Sequence, residues 1–81
     1  MIPMIPKTEK LIITFHTTTE AMAMERLCRD QDAPGRLIPV PRQISAGCGL
    51  AWCADTQHEE ELTQRMAAGG IRPQGIHRCL V

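Results

Sequence analysis

A chain of 81 residues has room for one small domain, which buries only about 60% of the surface its unfolded form exposes. The 9 basic and 9 acidic residues cancel, and there is one Phe, one Trp and no Tyr, so the chain lacks the basic surface and aromatic platform of nucleic-acid-binding proteins. No apolar run approaches the roughly 20 residues needed to cross a bilayer, which argues against a membrane protein.

The N-terminal residues 1–9 contain two prolines and no charged segment followed by an apolar one. We therefore expect a flexible tail over residues 1–9, no secretory signal and a single domain over residues 10–81 in the cytoplasm. Because a reducing compartment keeps thiols free, the four cysteines are not expected to form disulfides. Their spacing includes no CxxC pair of the kind that structural zinc sites use, and no metal or cofactor is predicted.

The first strand and helix are predicted from hydrophobic period and a capping pattern. Residues 10–15 are apolar and β-branched, which favours a strand. Thr17 and Glu20 fit a capping box, in which the two residues satisfy each other's free backbone N–H groups. The helix that follows has a buried stripe with helical spacing, and the Ala-Pro-Gly run at residues 33–35 is expected to end it. The stripe consists of Ala21, Met24 and Cys28.

Three more strands and a second helix are predicted beyond this point. Residues 36–40 read as a strand at a sheet edge, because Pro39 lacks an N–H. A loop over 41–49 leads to a third strand over 50–54. Thr56 and Glu59 fit a second capping box for a helix that ends near residue 68, before a Gly-Gly pair. Residues 74–81 form the last strand.

The β-α-β-β-α-β order predicts an α+β, ferredoxin-like fold: a four-stranded antiparallel sheet with two helices on one face. If the strands are arranged 4-1-3-2, the loop over 41–49 lies at the rim where the first strand ends and the first helix begins. The thin, aromatic-poor core and an edge strand that a single proline protects only weakly also lead us to expect a homodimer.

Cys48 is the candidate working residue, because it lies between Gly47 and Gly49 in an unusually long hairpin loop. Glycines on both sides allow the backbone to approach a partner closely. The thiolate is the reactive form of cysteine, and a helix N-terminus or a nearby cation lowers the thiol pKa.

The predicted topology brings three possible activators to this rim: His16, Arg42 and the free N–H groups that follow Thr17. Cys28, Cys53 and Cys79 fall on a helix stripe or in strands, where packing is the expected role. His77 and Cys79 share a strand face, but no further metal ligand accompanies them.

Three segments resemble a family of small bacterial selenium/sulfur carrier-like domains: "IITF" in the first strand, "RLIPVPRQIS" through the second, and "CGLAW" after it. The resemblance covers about residues 10–80 and departs from the family pattern at residues 33–35. It implies that the working cysteine is Cys48, and that Pro41, Arg42, Ile44 and Ser45 match the residues before it.

The carrier hypothesis follows from this resemblance: Cys48 would accept sulfur or selenium as a persulfide or selenosulfide from a donor protein and pass it to an acceptor protein. Such a protein is a carrier rather than a stand-alone enzyme, although the sequence leaves the question of enzyme activity open. The alternative is a non-catalytic ferredoxin-like module that binds a small molecule or regulates a partner. A hydrolase that uses Cys48 and His16 is less favoured, because no orienting Asp or Asn is evident.

Overall fold

The computed structural model describes residues 9–44 and 49–80 of the chain. The strands and helices follow one another in the order β-α-β-β-α-β, with a short 3-10 turn, Thr56–His58, before the second helix. The elements are β1 (Glu9–Thr14), α1 (Thr18–Asp30), β2 (Arg36–Pro39), β3 (Leu50–Asp55), α2 (Glu59–Gly69) and β4 (Gly75–Leu80).

The four strands form one open antiparallel sheet in the order β2-β3-β1-β4, which is 4-1-3-2 when counted from β4. The predicted α+β class, the four-stranded antiparallel sheet and the two helices are confirmed. Pro39 is the last residue of β2. β2 lies at a sheet edge, as predicted from the absence of an N–H on Pro39.

The main core lies between the two helices and one face of the sheet. The α1 stripe packs there as predicted, together with Leu62 and Met66 from α2. The sheet contributes alternating residues of its two central strands, as the period of two requires. These residues are Leu11, Ile13, Trp52 and Ala54, and Phe15, which follows β1, continues the alternation.

A second, smaller apolar cluster covers part of the opposite face of the sheet. Ile12 and Ala51 are fully buried there although no helix covers them. Ile44, from the loop after β2, is only 9% exposed and packs into this cluster with Cys53. The described start of the β2–β3 loop therefore lies against this face of the sheet and contributes to its cover through Ile44.

The helix ends agree with the sequence only in part. The Thr17 hydroxyl oxygen accepts the Glu20 N–H at 3.2 Å and caps α1, which is half of the predicted capping box; the Glu20 carboxylate accepts from the Thr17 hydroxyl. The second capping box is wrong, because α2 begins at Glu59 after the 3-10 turn and has no side-chain cap hydrogen bond. Helix α1 ends at Asp30, before the Ala-Pro-Gly run, whereas α2 ends as predicted with Gly70 in the left-handed region at φ 75°.

The connection from α1 to β2 is packed tightly against Trp52. The Trp52 indole N–H donates to the carbonyl oxygen of Pro34 at 3.1 Å. Gly35 has φ 111°, and a Cβ at this position would lie 2.3 Å from the indole nitrogen. Only glycine fits here, because both the backbone angle and the close approach exclude a side chain.

No helix within the described ranges has the length and apolarity needed to cross a bilayer.

Candidate functional site

Several chain segments that were predicted to share a rim meet at one end of the sheet. Thr14 pairs with Ala51 at the end of the β1–β3 ladder, so the segment that begins with Phe15 and His16 leaves the sheet at the same end as Gly49. The Val40 N–H donates to the Gly49 carbonyl at 3.0 Å and closes the β2–β3 loop. The N-terminus of α1 lies at the same end, since this helix follows β1 directly. We call this end the loop rim; it comprises residues 15–17, 40, 49 and 74.

His16 and Thr17 are both exposed at the loop rim. The Thr17 hydroxyl accepts the Glu20 N–H and also donates to the Glu20 carboxylate at 3.3 Å. The side chain of Thr17 is therefore engaged in capping, and the remaining positive character of this helix end comes from the other backbone N–H groups of the first turn. Glu20, the acidic residue of that turn, partly offsets it.

Arg42 and Gly49 precede and follow Cys48 in the sequence, and both are exposed. Arg42 belongs to a tight turn in which the Ile44 N–H donates to the Pro41 carbonyl at 3.0 Å. Gly49 adopts φ 77°, and a Cβ there would meet no atom within 4 Å. The backbone angle, rather than crowding, therefore favours glycine at position 49.

Cys48, Ser45 and Gly47 lie outside the described residues, so their predicted roles remain predictions. The described residues on either side of this segment are anchored: Ile44 is buried before it, and after it the Gly49 carbonyl accepts the N–H of Val40, the residue that follows β2. The sequence did not reveal the anchoring role of Ile44, because one apolar residue in a polar loop has no period to indicate its burial.

The three described cysteines are less accessible to reagents than an exposed thiol. Cys28 is 2% exposed, and burial raises its pKa to about 11. Burial also raises the pKa of Cys53, although the positive charges of Arg36 and Lys10 oppose the shift. Cys79 is half-buried on the edge strand β4. Two of the three therefore hold less thiolate at neutral pH than a free cysteine.

Several depressions mark the described surface, and two of them lie on different elements of the fold. One of about 580 Å³ lies beside α1 and is lined by Met22, Leu27 and Ile71 among others. Another of about 270 Å³ lies at the far end of the sheet from the loop rim, between Lys10 and Arg36. Within residues 9–44 and 49–80, no three His, Cys, Asp or Glu side chains come together as metal ligands.

A family model described as "Putative Se/S carrier protein-like" matches residues 10–78 of the chain. The chain belongs to this family. The Se/S carrier-like match includes the whole β2–β3 loop and both helices, so it covers the loop rim and the position of Cys48. No curated protein and no solved structure matches the chain.

Proposed function

We propose that this protein carries sulfur or selenium on Cys48, as a persulfide or a selenosulfide. The observation that supports this most directly is the Se/S carrier-like match over residues 10–78, which includes Cys48. The protection of Cys28 and Cys53 adds to it, because a carrier with one accessible thiol avoids loading elsewhere.

The transfer requires no cofactor and is balanced in atoms and electrons. The Cys48 thiolate attacks the terminal sulfur of a persulfide on a donor protein. A new S–S bond forms, the S–S bond of the donor breaks, and the donor cysteine leaves as a thiolate. The sulfur atom changes carrier without net oxidation, and attack by an acceptor thiolate on the terminal sulfur releases it in the same way. A terminal selenium atom moves by the same exchange.

The loop rim is the proposed environment of the thiolate. An exposed helix N-terminus contributes roughly 0.3–1 kcal/mol to a nearby anion. Since one pKa unit corresponds to about 1.4 kcal/mol, this effect alone lowers the pKa of Cys48 by less than about one unit. A protonated His16 or the guanidinium of Arg42 would supply the rest. The remaining residues of the proposed site are Thr17, Ser45, Gly47 and Gly49.

We infer further that the fold is ferredoxin-like and that the protein works in the cytoplasm with a donor and an acceptor protein. The β-α-β-β-α-β order and the strand order support the first inference. A reducing compartment, in which thiols stay free, suits persulfide exchange and supports the second.

The decisive experiment is mass spectrometry of protein purified from its own host without reductant. We expect an added mass of about 32 or about 80 Da, one sulfur or one selenium atom, on the peptide that contains Cys48. Cys48→Ser should abolish the adduct, and the control Cys79→Ser should retain it. An adduct that survives Cys48→Ser would contradict the proposal.

A second measurement follows the pH dependence of iodoacetamide labelling, cysteine by cysteine. We expect Cys48 to label first, with a midpoint below that of a free thiol, and His16→Ala or Arg42→Ala to raise the midpoint. If Cys48 titrates like a free cysteine and neither substitution matters, its thiol is not activated. A non-catalytic binding module would then be the better description.

A further inference from the structure

The outer edge of β4 carries backbone groups that no described residue pairs. In an antiparallel sheet the N–H and C=O of one residue point to the same side, and successive residues alternate. The Thr14 carbonyl accepts the Gln74 N–H at 2.7 Å. The backbone N–H and C=O groups of Thr14, and of every second residue of β1, therefore point toward β4. Their partners on β4, whose backbone N–H and C=O groups point toward β1, are Gly75, His77 and Cys79. The residues that face away from the sheet are Ile76, Arg78 and Leu80.

Two of these three residues, Ile76 and Leu80, present exposed apolar side chains on the helix side of the sheet. Ile76 is 39% exposed and Leu80 is 58% exposed, because neither helix covers β4. Arg78 lies between them and is tied to Glu59 of α2, with Nε at 3.1 Å and Nη2 at 2.7 Å from the same carboxylate oxygen. Of the described large apolar side chains, only Met22 on α1 is exposed to a similar degree.

The opposite edge of the sheet is protected against strand addition, whereas β4 is not. The Val40 N–H bonds to the carbonyl of Gly49, just before β3, so the alternation leaves the backbone N–H and C=O positions of Leu37 and Pro39 pointing outward from β2. Pro39 has no N–H to donate, and a proline on an edge strand blocks pairing. β4 is two residues longer than β2 and contains no proline, and no described residue pairs with the backbone N–H or C=O of its three outward residues.

We propose that β4 pairs antiparallel with β4 of a second copy of this chain, about a two-fold axis through Arg78. In this register every outward residue donates one backbone hydrogen bond and accepts one. Ile76 of each copy lies opposite Leu80 of the other, so the exposed apolar side chains cover each other. Moving the axis to His77 or Cys79 keeps the faces aligned but places Arg78 opposite Ile76 or Leu80. It also leaves one outward residue of each copy without a β4 partner.

The Arg78 side chains of the two copies meet at the axis, where like charges directly opposite each other are unfavourable. The Glu59 carboxylate beside each guanidinium offsets this repulsion. The interface is thus self-complementary in its backbone and apolar surface, as an isologous interface must be, and each Arg78 keeps the counter-charge of its own Glu59. It lies on an element that does not include Cys48 and does not depend on the carrier function.

Two charge substitutions test the register. Ile76→Lys or Leu80→Glu alone should raise the dissociation constant of the dimer roughly a hundredfold, because the symmetry places each change in the interface twice. An equimolar mixture should associate again, since each lysine then faces a glutamate and the unchanged Leu80 faces Ile76. Met22→Lys introduces the same charge at an exposed apolar residue of α1 and should leave the dimer intact. Light scattering at high micromolar concentration measures all four samples.

Hydrogen exchange of the unchanged protein provides a readout without any variant. The amides of Ile76, Arg78 and Leu80 should exchange more slowly as protein concentration rises, whereas the outward amide of Leu37 should not respond. A monomer at high micromolar concentration overturns the proposal. A mixture that stays monomeric, or concentration-dependent protection at Leu37 instead of at β4, overturns it as well. Loss of the Cys48 adduct would leave all of these results unchanged.

Discussion

Substitution of Gly35 by alanine should destabilise the protein far more than the same change at Gly70. A left-handed or more strained backbone costs about 1–3 kcal/mol for a residue with a Cβ. At Gly35 the new Cβ would also lie 2.3 Å from the indole nitrogen of Trp52 and 2.7 Å from the Cys53 carbonyl oxygen. Overpacking of this kind adds about 1–3 kcal/mol. We expect a total loss of about 3–5 kcal/mol, out of roughly 4–12 kcal/mol for a domain of this length.

Gly70 is the matched control, because it has φ 75° and a Cβ there would meet no atom within 4 Å. Gly70→Ala should therefore cost only about 1 kcal/mol of backbone strain. Urea unfolding, followed by the fluorescence of the single tryptophan, measures both variants. With a slope of about 1 kcal/mol per molar urea, the midpoint should fall by about 3 M or more for Gly35→Ala and by about 1 M for Gly70→Ala. Equal losses would show that close packing under Trp52 does not matter.

Three further predictions concern the loop anchor, the buried thiol and the edge strand. Ile44→Ala should lower the free energy of unfolding by about 2 kcal/mol, because it empties a buried contact of the β2–β3 loop, whereas the exposed Gln43→Ala should change it by less than about 0.5 kcal/mol in chemical denaturation. Burial raises the pKa of Cys28 from 9.0 to about 11, so the stability that its protonated thiol contributes is fully present below pH 9 and is lost as the pH rises to 11. The free energy of unfolding of the wild type should fall by up to about 2–3 kcal/mol over this interval, and that of Cys28→Ala should fall by less. Glu59→Gln should weaken the proposed dimer by roughly tenfold in light scattering, most strongly at low salt, because the Arg78 pair then loses its counter-charge; an unchanged dissociation constant would contradict the pairing at Arg78.

Much of the fold could be predicted because burial in regular elements follows a short period. The helix stripe that includes Met24 and the alternating residues of β1 are examples, since each needs only the geometry of its own element. The start of α2 could not be predicted in this way. Thr56 and Glu59 permit a capping box, but the chain leaves β3 at Asp55, which Lys10 holds by an ion pair, and enters a 3-10 turn first.

The candidate site is harder to predict because its residues come from separate segments. The sequence placed His16 and Gly49 at one end of the sheet, and the strand register agrees with that placement. The burial of Ile44 depends on Ile12 and Ala51, which belong to two other strands, so no local pattern could indicate it. The prediction that Cys48 is the working residue rests on its glycine neighbours and on the family resemblance.

The three described cysteines lie at different depths, so their thiols can report local opening of different parts of the fold. Cys79 is on the edge strand, Cys53 is beneath the loop that carries Ile44, and Cys28 is in the helix-side core. A thiol reagent reaches each one only after a different part of the structure opens. The modification rates of these cysteines therefore measure the free energies of fraying, of loop release and of helix detachment separately, without any introduced probe.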